Sequence, residues 1–163
     1  MILGLSTATF LQIHVALSLI GIVTGLATVL AMIQGKFLRG WTAIFLATTV
    51  LTSATGFPLP PFGLDPPRIV GIVSLVVLAL ALAGLYVFRL AGAWRWVYVV
   101  TATIALYFNC FVAVVQTFQK IDFFHALAPT QQEPPFAIAQ LVVLALFVAF
   151  GVLGVKRFRP NLA

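Results

Sequence analysis

The sequence predicts an all-α, polytopic membrane helix bundle with five transmembrane helices, its N-terminus outside and its C-terminus inside. Three observations carry this prediction. Of the 163 residues, 63% are hydrophobic and only 7% are charged. The apolar residues fall into five runs near the length that crosses a bilayer. Lysine and arginine collect in alternate loops, as the orientation rule for membrane helices requires. With a mean hydropathy of +1.17, the chain is too apolar for a soluble domain, a disordered segment or a nucleic-acid-binding module.

A helix needs about 20 apolar residues to cross a hydrocarbon layer ~30 Å thick. The predicted spans cover 10–33, 41–57, 69–88, 96–118 and 136–155. The first is the longest. The second is the shortest and is closed by a proline-rich stretch, so a re-entrant hairpin with the third is its alternative. The longest remaining stretch, Gln119 to Pro135, leaves no room for a soluble domain, so residues 1–163 are expected to form a single integral membrane domain. No basic residue precedes the first run and no lipidation motif occurs, so that run is expected to stay attached.

Orientation follows from the loops. One side carries Lys36, Arg39, Arg89, Arg95, Lys156, Arg157 and Arg159, and the other carries Arg68 and Lys120. The richer side is predicted to be cytoplasmic, and Trp41, Trp94 and Trp96 beside it suit the headgroup level. The net charge of +6 is thus spread over span ends where it meets anionic lipid. No nucleic-acid partner is expected. Eight of the nine prolines (Pro58, Pro60, Pro61, Pro66, Pro67, Pro129, Pro134 and Pro135) fall in the two outer loops, which they stiffen. The single cysteine, Cys110, lies in an apolar run, where it serves as a small hydrophobe.

Residues three and four apart share a helix face. In the first span His14, Ser18, Gly21, Gly25 and Thr28 form a small-residue stripe with a Gly21-x-x-x-Gly25 step, which predicts close helix packing. Thr48, Thr52 and Thr55 align in the second span. In the fourth, Ala102, Ala105, Asn109, Ala113 and Gln116 align below Gln119, and Asn109 is expected to hydrogen-bond a neighbouring helix.

Ionisable residues in hydrocarbon are costly, so His14 is the foremost functional candidate. Its possible partners all belong to the outer side: Asp65, Asp122, His125 and Glu133 in loops, with Gln116, Gln119 and Gln140 at helix ends. If the fourth helix continues beyond the membrane, Asp122 and His125 share a face and the carboxylate can orient the imidazole. The predicted ligand or partner site therefore comprises His14, Gln116, Asp122, His125 and Glu133. No cofactor is expected, with haem or a divalent metal as the alternative that two histidines and three carboxylates permit. Neither Ser53 nor Thr55 has an elbow or oxyanion-hole signature that would make it a nucleophile with His125.

The inner loop Gly35-Lys36-Phe37-Leu38-Arg39-Gly40-Trp41, feeding a threonine-rich span, and the later Gly92-Ala93-Trp94-Arg95-Trp96-Val97-Tyr98 resemble a group of small, uncharacterised bacterial multi-span membrane proteins of unknown function. The likeness runs from Gly35 to about Gln116. Members of that group tend to carry histidine just before the basic residues of these loops, where this sequence has Phe37, Leu38 and Ala93. The segment from Leu127 to Phe136 also reads like a family signature. The resemblance implies a multi-pass protein of a bacterial cytoplasmic membrane and assigns no site residue.

Three function classes follow. The first is a non-catalytic component that binds a small molecule, a lipid, a protein partner or a second copy of itself at its outer face. The second is an oligomeric channel or small-solute permease. The third is a haem- or metal-binding redox protein. The stiffened loops and polar outer rim favour the first. The scarcity of charge in the inner halves of the spans disfavours the second.

Overall fold

The computed structural model describes residues 1–60, 63 and 66–160, so Pro61 and Asp65 lie outside the described residues. The described chain is helical, with an isolated bridge between Ile2 and Leu5 and no strand among the described residues. Helix α1 spans Thr7–Ile33. It starts ahead of the apolar run because Ser6 caps it, accepting a hydrogen bond from the Thr9 N–H at 3.1 Å. Helix α2 spans Arg39–Gly56 and α3 spans Pro66–Leu82. A π-helical turn, Ala83–Val87, extends α3 and ends where Arg89 and Leu90 adopt left-handed φ values of 47° and 59°. Helix α4 is Trp94–Lys120, α5 is the short Asp122–Leu127 and α6 is Pro134–Arg157.

Helix α4 does not run on through Asp122 and His125. It stops at Lys120, where Ile121 turns extended (φ −102°, ψ 114°), and the chain restarts as α5. The two residues still lie one turn apart, but on a separate element.

Among the described residues four stretches are long and apolar enough to cross a membrane: Thr7–Ile33, Pro66–Val87, Trp94–Lys120 and Pro134–Arg157. This is the architecture of a multi-pass membrane protein. Helix α2 is not among the four, because its 18 residues include Arg39 and five threonines. Those hydroxyls are partly satisfied within the helix itself. Thr48 donates to the Ile44 carbonyl and Thr55 to the Leu51 carbonyl, both at 2.7 Å.

Helix α4 is the hub, touching α1, α2, α3, α5 and α6. Its Tyr98, Val99, Ala102, Ala105 and Leu106 are wholly buried. The apolar core gathers around this N-terminal half of α4, with Val29 and Met32 of α1, Phe45 and Leu46 of α2, and Leu78 and Ala81 of α3. It therefore occupies one half of the bundle, the end that carries most of the lysines and arginines. There Arg95 donates to the carbonyls of Val155 at 3.0 Å and Phe158 at 2.7 Å, capping α6. The buried Phe158 ring packs on Phe37 and Tyr98. The opposite end holds the proline-rich connections.

Gly25 makes the tightest of these contacts possible. A Cβ there would lie 2.6 Å from Leu106 Cδ1 and 2.8 Å from the Phe45 ring. Gly25→Ala is therefore expected to cost about 1–3 kcal/mol through overpacking. In a thermal unfolding series in detergent its midpoint should fall. The control Gly40→Ala, with nothing within 4 Å of the added methyl, should hold or gain stability. Indistinguishable midpoints for the two variants would sink the close-contact argument.

Candidate functional site

The proline-rich half of the bundle is hollow. The facing stripes of α1, α2, α3 and α4 enclose a cavity of about 800 Å³, within the size range of small-molecule sites. Its walls are largely apolar, from Leu11, Val15, Leu19 and Ile22 on α1 and Phe108 and Val112 on α4.

The floor is built where three helices meet. Asn109 of α4 donates from Nδ2 to Thr49 Oγ1 of α2 at 3.3 Å. Helix α1 can cover this bond because Gly21 has no side chain. A Cβ at Gly21 would lie 3.2 Å from Thr49 Oγ1 and 3.3 Å from Asn109 Nδ2. Gly21, Gly25 and Asn109 thus belong to one packing junction, and Asn109 also lines the cavity above it.

Polar groups stud the walls. His14 of α1 and Thr55 of α2 share a hydrogen bond of 2.9 Å between Nδ1 and Oγ1. Ser53 donates to Ser74 at 3.2 Å, tying α2 to α3. Thr52 lines the cavity and is only 8% exposed, yet its hydroxyl has no hydrogen-bond partner among the described residues. At the rim, Arg68 donates to the carbonyls of Leu59 at 2.6 Å and Phe57 at 3.3 Å, fixing the connection between α2 and α3. Lys120, at the end of α4, also lines the cavity. The described lining residues include these two cations and no carboxylate.

The predicted site residues divide accordingly. His14 and Gln116 line the cavity, as does Gln119. Asp122, His125 and Glu133 are not among its lining residues. Asp122 and His125 sit exposed on α5, where His125 Nδ1 donates to the Phe118 carbonyl at 3.3 Å. Gln140 donates to the Phe111 carbonyl on α4 at 3.2 Å, away from the cavity lining. Among the described residues no three His, Cys, Asp or Glu side chains gather as a metal-ligand set. Thr55, weighed in the sequence as a nucleophile with His125, instead pairs with His14. Ser74 was missed altogether, although a lone serine in an otherwise aliphatic span was a usable signal.

Glu133 has its own local role. Slight desolvation acts to raise its pKa. The Thr130 hydroxyl at 2.8 Å and the N–H groups of Thr130 and Gln132 at 3.2 and 3.1 Å outweigh this and hold the carboxyl below its ordinary 4.5. It thereby fixes the turn that leads into Pro134 and α6.

No protein-family model matches the chain, and no curated protein or solved structure matches it significantly.

A carboxylate whose folded pKa is lowered stabilises the fold above its unfolded pKa, and this contribution disappears as the pH falls through the folded value. The wild-type thermal midpoint is therefore expected to drop as the pH falls below the ordinary 4.5 of the carboxyl, and to drop less in Glu133→Gln. Equal acid sensitivity of the two proteins would remove Glu133 as a contributor.

Proposed function

We propose that this protein is a five-span component of a bacterial cytoplasmic membrane, N-terminus outside and C-terminus inside, that binds a small molecule non-catalytically in the cavity at its outer face. The observation that carries this reading is the cavity itself, with a buried, unpartnered Thr52 hydroxyl in its wall. A hydroxyl left without a partner in a low-dielectric interior costs about 1–3 kcal/mol, which a bound polar group offsets.

The fifth span in this reading is α2. It packs against α1 and α3, and its hydroxyls bond within the helix, so its modest hydropathy is compatible with a place inside the bundle. If α2 crosses, the cation-rich end faces the cytoplasm by the positive-inside rule and the cavity opens outward.

A permease is supported less well. The deepest lining residues are Ile22, Thr52, Ser74 and Phe108, and beyond them the packed core of Val29, Phe45, Leu46 and Leu106 fills the bundle. The cavity is blind within one chain. A redox centre bridging the two histidines is also less favoured, since His14 belongs to the cavity wall and His125 to α5.

Two experiments test the reading. A fluorescent reporter fused to the C-terminus is expected to mature in the cytoplasm, while alkaline phosphatase at the same position stays inactive; active phosphatase would overturn the orientation. For binding, wild-type protein purified in mild detergent is expected to carry a stoichiometric small molecule, detectable by mass analysis of the extract. Ala113→Phe, which fills the cavity from α4, should reduce its recovery roughly tenfold without lowering the thermal midpoint. Absence of any bound compound from the wild type, or equal recovery from both proteins, would refute the binding role.

A further inference from the structure

The hydrogen bonds around His14 decide what its ring can offer a ligand. The Thr55 hydroxyl has one hydrogen, which it donates to the Leu51 carbonyl at 2.7 Å. The Leu51 bond and the His14 bond of 2.9 Å form together only when the hydroxyl accepts from the ring, the arrangement that puts the proton of the neutral imidazole on Nδ1. Nε2 is left with a bare lone pair and no partner among the described residues. The Asn109 amide donates to Thr49, which leaves its carbonyl oxygen as a second acceptor in the cavity lining. Thr52, one turn from Thr55 on α2, adds an unpaired hydroxyl.

A ligand matching this set supplies a proton donor. Lys120, at the end of α4 in the cavity lining, opposes an ammonium donor. The apolar walls call for an apolar body. We propose, building on the cavity-binding reading above, that the cavity takes a neutral amphiphile whose head is a hydroxyl, either an alcohol or a phenol. The head donates to His14 Nε2, and the body lies along Leu11, Val15 and Val112. His14 is the recognition residue, and Thr55 is the positioning residue that holds its tautomer.

The test uses the full chain in phosphatidylcholine nanodiscs, a lipid without hydroxyl groups, labelled with ¹⁵N-histidine. The chain has two histidines, so His125→Gln leaves only the His14 signals. At about pH 8 the imidazole is neutral. The expected spectrum has a protonated Nδ1 and an unprotonated Nε2. Adding 4-hexylphenol should shift Nε2 saturably, whereas 4-hexylanisole, with the same body but no O–H, should bind at least about tenfold more weakly. Thr55→Val should admit the Nε2–H tautomer and erase the preference for the phenol, a change that a purely structural role for Thr55 would not produce.

Equal affinity for phenol and anisole would overturn the proposal. So would a 4-hexylbenzoate that binds more tightly and loses its advantage in Lys120→Gln, which would point to an anionic head. If no probe shifts Nε2 but Ala113→Phe still abolishes co-purification, the hydroxyl-head inference fails and the cavity-binding reading stands. If Ala113→Phe changes nothing, both fall together.

Discussion

The architecture depends on how closely α1 approaches α2 and α4 at Gly21 and Gly25. Lipid tails are as apolar as leucine, so helices in a membrane gain little from hiding apolar surface from one another. Van der Waals fit and interhelical hydrogen bonds decide where they meet. Two glycines one turn apart let the α1 backbone settle onto Phe45, Leu106 and the Asn109–Thr49 bond. Below this seat the helices are closely packed around Tyr98 and Ala102. Above it the contacts loosen, Gly56 of α2 facing His14 at ordinary van der Waals distance, and the space between the four helices widens into the cavity. Packing at one end and a cavity at the other are two consequences of the same contact.

The threonines of α2 follow from that arrangement. Helix α2 exposes one face, with Trp41, Ile44 and Leu51, and on the other, turned to α1, α3 and α4, it carries hydroxyls, most of which find a bond, Thr42 and Thr52 being the exceptions. Thr48 and Thr55 bond back to their own helix, Thr49 accepts from Asn109, and Ser53 reaches Ser74. Helix α6 shows the contrast. It sits at the periphery with Phe147 and Gly154 as its buried residues, and its sequence is almost wholly aliphatic and aromatic.

This explains which features could be read from the sequence. Helix positions followed from run length and proline placement, because a proline cannot sit in a span without freeing a carbonyl that has no water to bond. Boundaries were less legible, since they depend on local contacts: the Ser6 cap lengthens α1, and an extended Ile121 separates α5 from α4. The Gly21-x-x-x-Gly25 step pointed to a contact but could not name Phe45 and Leu106 as the residues filling it. The candidate site was legible only by half. His14 and Gln116 share a cavity wall because helical periodicity turns them inward. Asp122, His125 and Glu133 belong to the same end of the molecule, but short-range bonds to Phe118 and Thr130 keep them in the connection between α4 and α6. The pairing of His14 with Thr55, 41 residues apart, depends on how α1 and α2 are rotated against each other, which no local pattern encodes.

The rim gives the cavity a shape that does not depend on an occupant. Arg68 fixes the connection after α2 through three carbonyls, and Gln131 reaches back to the Val115 carbonyl at 3.0 Å to hold the segment before α6. Prolines within these connections leave little backbone freedom to lose. In the proposed role, a site held in this way loses little entropy on binding, and affinity would depend on how well an occupant bonds with His14 and Asn109. In the proposed role a purely apolar guest would leave the acceptors of His14 and Asn109 without a partner. An occupant with one well-placed polar group and an apolar remainder satisfies both the studded walls and the greasy ones. In the proposed binding role, selection would rest on the few polar atoms, while the apolar surface would supply affinity to any guest of suitable size.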